Sequence, residues 1–475
     1  MLKVIIEKEI RDILGSSKFV YTFIVCAVLI LLSFYTGAIN YKQNIAHWEM
    51  AQAENLNSFE GMTDWLRVRE NRIFLDPQPL AALVNGVSND IGRTSNIETR
   101  GEIHPEDSRY NEEPVYAYFR FIDLEFIFSV VLALFAILLG YDAICGEKES
   151  GTLKLCLSNA VPRTKLLLGK FVGSFTILSA SLLLVIAIGT LLLPLLGVHL
   201  SSSEWIRFGL IILAGLLYFG VFLALSIMVS SITQKTSTSF LVLLIVWIGS
   251  TLILPRAAVL IAGRAVDVPT VDEIGYQKAA YATERWKEHI AAIKDFQVPP
   301  VDPEDPEGMS SMMNAFNKFM DSLGQVREDK LAEYYGRLNE DRHNHENVRS
   351  KVAFALSRIS PSASLSLATS TLAGTSTRLK DRFYEQSNNY QNSFIEFLNE
   401  KTGMNLRGGM IFISDDADDT EKEPIDAGEI PTYEYQPPPL KDTLNDALPD
   451  IGLLALFNII FIAGAFVAFN RYDAR

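Results

Sequence analysis

Two short clusters in the chain contain residue types that bind metal ions. Residues 343–346 read "HNHE", and residues 415–419 read "DDADD". Residues two apart on a helix point to different faces, so the two histidines could not share one ion there. A calcium loop needs glycine at its sixth position and glutamate at its twelfth, where this chain has Thr420 and Asp426. We therefore interpret the first cluster as solvated helix surface and the second as an acidic linker, and we expect no metal site.

Motifs for catalysis or nucleotide binding are missing from the sequence. The chain has no G-x-x-x-x-G-K-[ST], no H-E-x-x-H, no C-x-x-C and no G-x-S-x-G. A phosphate-binding loop needs its backbone amides and its lysine to hold a nucleotide. We expect no catalytic residues and no cofactor in this chain, so any work driven by ATP would depend on a separate ATPase that binds ATP and Mg²⁺.

A charged connector between two strongly apolar segments is the most informative stretch. It begins with "GEKESGTLKLCLS" at residues 146–158. Ser150 can cap a helix that starts near Gly151 and Thr152, and Pro162 stops that helix. We expect the charged side chains of the connector to face water, where they would suit the docking of a cytoplasmic subunit; on physical grounds an ordinary inner loop explains them equally well. These side chains are Glu147, Lys148, Glu149 and Arg163.

Six apolar runs flank and position this connector. Each is long enough for ~30 Å of hydrocarbon, which takes about 20 residues. They are 18–39, 122–144, 171–196, 206–230, 239–262 and 448–469. The pattern predicts an α-helical integral membrane protein with six transmembrane helices. Residues 1–17 place isoleucines at helical spacing among charges, which predicts an amphipathic helix at the inner membrane surface.

The basic residues of the short segments predict the orientation. The N-terminus, the connector at 145–170, the loop at 231–238 and the C-terminus all carry Lys or Arg. With six spans they fall on one side, and the positive-inside rule makes that side the cytoplasm. Both termini are then inside.

Two long segments would lie on the opposite, extracytoplasmic side. Residues 40–120 predict a small mixed domain, and residues 263–446 predict a mainly helical one. Apolar residues at helical spacing predict helices at 274–296, 307–358 and 376–402. The second of these helices could be broken at Gly324. Together the two segments are more negative than the whole chain's −14, which argues against nucleic acid as a partner. The three cysteines lie elsewhere, so no disulfide would hold these domains.

The extended connector "GEKESGTLKLCLSNAVPRTKLLLGK" resembles the inner connector of type-two ATP-binding-cassette (ABC) permeases. It has an acidic pair, Gly-Thr-Leu, a leucine-rich stretch, Pro-Arg and Gly-Lys, and it is most similar to the branch of gliding-motility and nitrous-oxide-reductase-maturation permeases. The C-terminal "FNRYDAR" resembles the ending of a sub-branch with an enlarged outer domain, and "SRISPSASLSLATSTLAGT" at residues 357–375 is similar to the outer domain of that sub-branch. The two long outer segments depart from many such permeases, which have short outer loops.

The resemblance implies a permease subunit in the bacterial plasma (inner) membrane. Its partners would be a cytoplasmic ABC ATPase, a second permease copy (identical or paralogous), membrane lipid and an extracytoplasmic protein. Coupling to the ATPase would use the connector charges named above together with Gly151, Thr152 and Leu153. The chain would be part of an exporter, or of a mechanotransmission complex that drives an outer partner without moving a substrate; a membrane enzyme has no supporting residues. Arg256, near the outer end of the fifth run, would contact lipid headgroups or face a translocation path.

Overall fold

The computed structural model describes residues 2–99, 101, 103, 105–106, 123–158, 161–294, 296, 306–403 and 424–471. The acidic stretch at 415–419 lies outside these residues. The helices are α1 (Leu2–Leu14), α2 (Ser17–Asn57), α3 (124–140), α4 (Cys145–Glu149), α5 (Thr152–Ser158), α6 (Arg163–Leu195), α7 (Ser202–Ile232), α8 (Thr236–Ala265), α9 (Val271–Ile293), α10 (Pro306–Ser357), α11 (Pro361–Ala373), α12 (Arg378–Thr402) and α13 (Leu440–Asn470). Short π-helical stretches interrupt α3 at Ile127–Leu132 and α8 at Gly249–Ile253.

Six helical segments in the described part of the chain are long and apolar enough to cross a membrane, which confirms the predicted number. They are α2, α3 with α4, α6, α7, α8 and α13. The helix α2 continues to Asn57, well past the predicted end of the first span at 39. Residues 40–57 are too polar for hydrocarbon, but their Ala, Glu, Gln and Met favour a helix. The first span therefore extends into water as a rigid helix.

A buried helix that the sequence did not predict fills part of the bundle. Ser360 caps α11, because its Oγ accepts hydrogen bonds from the amides of Ser362 and Ala363. The helix packs against α7 and α13, and most of its residues are buried, several of them serine or threonine. The Ser366 hydroxyl donates to Glu125 Oε1 at 2.5 Å. Hydroxyls bonded inside the bundle let a polar segment lie among apolar helices at low cost.

A long helical hairpin leaves the bundle next to this helix. It consists of α9 and α10, and the Tyr281 and Tyr334 rings stack between them with centroids 4.0 Å apart. The 52 residues of α10 run without the break considered at Gly324, which gives a length of about 78 Å. At its base, Arg358 binds the buried Asp450 of α13 through two hydrogen bonds of 2.6 and 3.0 Å. The hairpin is thus firmly attached to the last membrane helix.

A three-stranded antiparallel sheet forms a second core outside the bundle. Its strands are β1 (Glu70–Phe74), β2 (Thr94–Glu98) and β3 (Pro105–Glu106), and β1 pairs with β2 from Glu70↔Glu98 to Phe74↔Thr94. The sheet packs against α12 and against residues 425–435. The described part of the first long segment thus contains both helix and strand, and part of the second long segment completes its core.

Candidate coupling interface

The connector consists of two short helices joined by a left-handed glycine. The helix α4 ends at Ser150, and Gly151 has φ +77° before α5 begins at Thr152. Only glycine adopts this backbone conformation without strain. Ser150 occupies the C-cap of α4 and its hydroxyl contacts the carbonyl oxygen of Glu147, so the prediction that Ser150 starts the following helix is wrong. That helix ends at Ser158, before Pro162, as expected.

Lys148 and Glu149 connect the ends of two neighbouring membrane helices. Lys148 Nζ donates to the carbonyl oxygens of Ser231 and Thr233, the latter at 3.0 Å, where α7 ends. A Glu149 carboxylate oxygen accepts from the amide and the hydroxyl of Thr236, at 3.2 and 2.9 Å, where α8 begins. A cation at a helix C-terminus and an anion at a helix N-terminus both interact favourably with the helix dipoles. The two adjacent charges therefore fix the connector to both sides of the 233–235 turn.

Glu147 belongs to a charge cluster that links the connector to α1 and α6. Its Oε1 lies 2.9 Å from Lys170 Nζ and 3.8 Å from Lys8 Nζ, and Lys170 Nζ lies 3.4 Å from Glu9 Oε2. The Lys170 side chain is only 5% exposed. Burial raises the pKa of Glu9, with a smaller opposing contribution from Lys170. Such a cluster is stable only while its opposite charges stay together.

Arg163 attaches the other end of the connector to the last helix of the chain. Its Nη1 donates to the carbonyl oxygens of Asn470 and Phe469, at 2.8 and 3.4 Å. These are the final residues of α13. Free carbonyls at a helix C-terminus need such donors, and a guanidinium supplies them with the charge that the dipole favours.

The expectation that all four connector charges face water is therefore wrong. Glu147, Lys148 and Arg163 are used within the chain, and Glu149, although exposed, holds Thr236. The sequence could not show this, because the partners come from helix ends that are distant in the chain.

An exposed ridge on α5 is what the connector presents to solvent. Thr152, Lys154 and Leu155 are exposed, and the Leu155 side chain is 67% exposed. Leu153, between them, is completely buried and anchors the helix in the bundle core. We call the exposed surface of residues 152, 154 and 155 the α5 ridge. Because the connector is tied to α1, α6, α7, α8 and α13, a force on the ridge would reach all five helices.

Several residues that build this joint were not singled out in the sequence. The Ser230 hydroxyl accepts from the amides of Ile144 and Cys145, at 3.0 and 2.9 Å, and so positions the start of α4. Lys170 and Glu9 form the cluster with Glu147. An isolated lysine at the start of an apolar run was the available signal for Lys170.

Arg256 and the histidine cluster lie apart from this joint. Arg256 is exposed on the surface of α8, and its contact with lipid headgroups or with a translocation path stays a prediction. His345 Nδ1 lies 2.9 Å from the backbone oxygen of Asp341 in its own helix. Across the described ranges, no group of three His, Cys, Asp or Glu side chains is arranged to hold a metal ion.

Comparison with known proteins agrees with the resemblance seen in the connector. The model of the ABC-2 family transporter protein matches residues 3–474. The chain is 39% identical over 118 residues to a probable ABC transporter permease protein NosY of Stutzerimonas stutzeri, which covers 24% of this chain and 42% of that protein. It is 39% identical over 114 residues to the protein of the same name in Pseudomonas aeruginosa, covering 23% and 41%. The chain thus spans about two fifths of the length of these curated relatives. Its six apolar helices and the family match over nearly all its length identify it as a multi-pass membrane protein that belongs to the ABC-2 transporter family.

Proposed function

We propose that this chain is the permease subunit of an ABC transporter and that a separate cytoplasmic ATPase pushes on the α5 ridge. The observation that carries the proposal is the construction of the connector. An exposed ridge that includes Leu155 stands on a short helix beside charges that are all bound within the chain. Lys148, Glu149 and Arg163 bind the ends of membrane helices, and Glu147 pairs with Lys170 of α6. A flexible loop would absorb a push, whereas this joint would transmit it.

The test is whether ATP turnover requires a partner. The chain has no phosphate-binding loop, so the purified chain alone should not hydrolyse ATP. Co-expression with an ATPase subunit encoded beside it should give a stable complex that hydrolyses ATP. Hydrolysis by the lone polypeptide, in preparations free of other ATPases, would refute the proposal.

The N-terminal helix supports the same interface. The helix α1 packs along α6, where Gly169 and Gly173 leave space for Ile5 and Glu9. Lys3, Glu7 and Asp12 remain exposed on its other face. This face would brace the ATPase beside the ridge. A second permease copy, identical or paralogous, would complete the transporter.

We place the connector end of the bundle in the cytoplasm and the sheet and hairpin outside the plasma membrane. The support is the basic character of the four segments at the connector end. Cysteines at the exposed positions Ser58 and Ser393 should react with a membrane-impermeant thiol reagent in intact cells, in a Cys156→Ser background. A cysteine at Thr152 is the matched control and should react only after lysis. The reverse pattern would overturn this orientation.

An export function and a mechanotransmission function both fit this coupling. One observation favours the second: within a single chain, α11 packs against both α7 and α13 and most of its residues are buried, which leaves less room for a polar path through the bundle. The rigid α10, held at its base by Arg358 and Asp450, would carry movement of the bundle to an outer partner. Transport would instead require a path between two copies.

A further inference from the structure

A cavity of about 400 Å³ lies in the domain formed by the sheet and α12. Three segments line it together with Tyr390 of α12: the end of α2, the strand β1 with Asp76, and residues 430–435. Its volume falls within the range of pockets for small molecules. The coupling function proposed above makes no use of this space.

One face of α2 forms the first wall. Trp48, Gln52, Asn55 and Leu56 line the cavity, and their spacing of four, three and one residues places them on one side of a helix. This is the part of α2 that continues beyond the predicted end of the first span at 39.

A chain of hydrogen bonds holds the three walls in place. Asn55 Nδ2 donates to Asn71 Oδ1 at 2.7 Å, Asn71 Nδ2 donates to Tyr390 Oη at 2.6 Å, and Tyr390 Oη donates to the Pro431 carbonyl oxygen at 2.6 Å. The chain passes from α2 through β1 and α12 to the 430–435 segment. The walls are therefore set before any ligand arrives, which lowers the entropic cost of binding.

Five of the residues that line the cavity are aromatic. They are Trp48, Phe74, Tyr390, Tyr433 and Tyr435. The rings of Tyr390 and Tyr433 meet edge to face, with centroids 5.8 Å apart. Aromatic faces attract cations, and the attraction is stronger where water is excluded.

Two carboxylates complete the site. Asp76 and Glu434 line the cavity, and Asp76 Oδ1 is buried without a hydrogen-bond partner among the described residues. Burial, with a further contribution from Glu434, raises the pKa of Asp76 to about 6. Of the other charged groups, Arg72 lines the cavity and Arg93 partly offsets the effect on Asp76.

A second cavity, of about 230 Å³, differs from the first because its carboxylates already have partners. It is lined by Glu125, Arg358 and Asp450 among others. There the carboxylates already bind Ser366 and the arginine, so nothing in it calls for a ligand.

We propose that the larger cavity binds a small organic cation, a primary amine or a quaternary ammonium group, with its charge between Asp76 and the aromatic rings. The carboxylates supply the opposite charge, the rings supply the apolar surface, and the hydrogen-bond chain supplies the rigidity. This proposal does not depend on the coupling function. Failure of the cation-binding test would not refute coupling, and failure of the ATPase test would not refute cation binding.

Calorimetric titration of the full-length protein in lipid nanodiscs tests it. The probe is benzyltrimethylammonium chloride, compared with benzyl alcohol as a neutral aromatic compound and with sodium chloride at equal ionic strength. The cation should bind and the neutral compound should not. Asp76→Asn should weaken binding at least about tenfold, while Asp329→Asn, an exposed carboxylate on α10, should leave it unchanged. A pKa raised above that of an ordinary aspartate means that ionisation of Asp76 does not stabilise the folded state. Asp76→Asn should therefore unfold at the same temperature as the wild type or at a higher one.

The pH dependence gives a second readout. Protons compete with the cation for Asp76, so affinity should fall as the pH is lowered from about 7.5 to about 5, through the pKa near 6. Tyr41, Tyr433 and Tyr435 also face Asp76 but stay protonated over this range. Glu434→Gln, at an exposed position, should weaken binding less than Asp76→Asn. Equal binding of benzyl alcohol, absence of cation binding, or unchanged affinity in Asp76→Asn would each overturn the proposal.

Discussion

Replacing Lys170 by alanine is expected to destabilise the protein by about 3–5 kcal/mol, the cost of removing one partner from a buried ion pair. The substitution would leave Glu9 and Glu147 facing each other with their side chains 12% and 17% exposed. Repulsion would separate α1 and the connector from α6. The loss should appear as a lower midpoint of thermal unfolding in detergent and as less protein in the membrane.

The matched control removes the carboxylates together with the lysine. A triple variant, Lys170→Met with Glu9→Gln and Glu147→Gln, keeps side chains of similar size and leaves no buried charge. It should recover most of the lost stability, because neutral replacements of a buried ion cluster are often tolerated. If Lys170→Ala unfolds at the wild-type temperature, the cluster does not hold the connector.

The second large effect is expected at the α5 ridge. Changing Leu155 to Asp and Lys154 to Glu should reduce recovery of the ATPase at least about tenfold, with the permease still inserted and folded. Burying one leucine side chain contributes about 2 kcal/mol, and each 1.4 kcal/mol corresponds to about tenfold in affinity. The measurement is co-purification of the ATPase together with the rate of ATP hydrolysis.

An equivalent pair on the hairpin provides the control. Val326→Asp with Lys330→Glu makes the same change of charge and polarity at exposed positions of α10. This variant should bind the ATPase as the wild type does. Equal recovery with the two double variants would contradict a specific role for the ridge.

The six membrane helices could be predicted from the sequence because a helix needs about 20 apolar residues to cross the hydrocarbon core of a bilayer. The start of a connector helix near Thr152 and its end before Pro162 could likewise be predicted, and the structure agrees. Local chemistry decides such features, so a single sequence contains them.

The uses of the connector charges could not be predicted in the same way. Lys148 and Glu149 look like solvated residues until the turn at 233–235 is brought beside them. Their partners are backbone groups at helix ends, which carry no side-chain signal. A charge pattern alone does not distinguish a docking surface from a cap on a distant helix.

The buried helix α11 was missed for a related reason. Its sequence from Pro361 to Ala373 is rich in serine and is too short and polar to resemble a span. Only the surrounding α7 and α13, together with Glu125, explain why these hydroxyls are inside. Packing against neighbouring helices buries this polar segment, whereas hydropathy alone gave no sign that it would be buried.

Photo-crosslinking from Leu155 tests whether an ATPase subunit docks on the α5 ridge. A photoreactive amino acid placed at Leu155, and at Val326 as a control, would be activated in cells that carry the intact complex, and the products would be identified by mass spectrometry. We expect a covalent product between position 155 and a subunit that contains a phosphate-binding loop, and no such product from position 326. An ATPase that co-purifies with the chain but crosslinks from 326 and not from 155 would show that the connector is not where the ATPase acts.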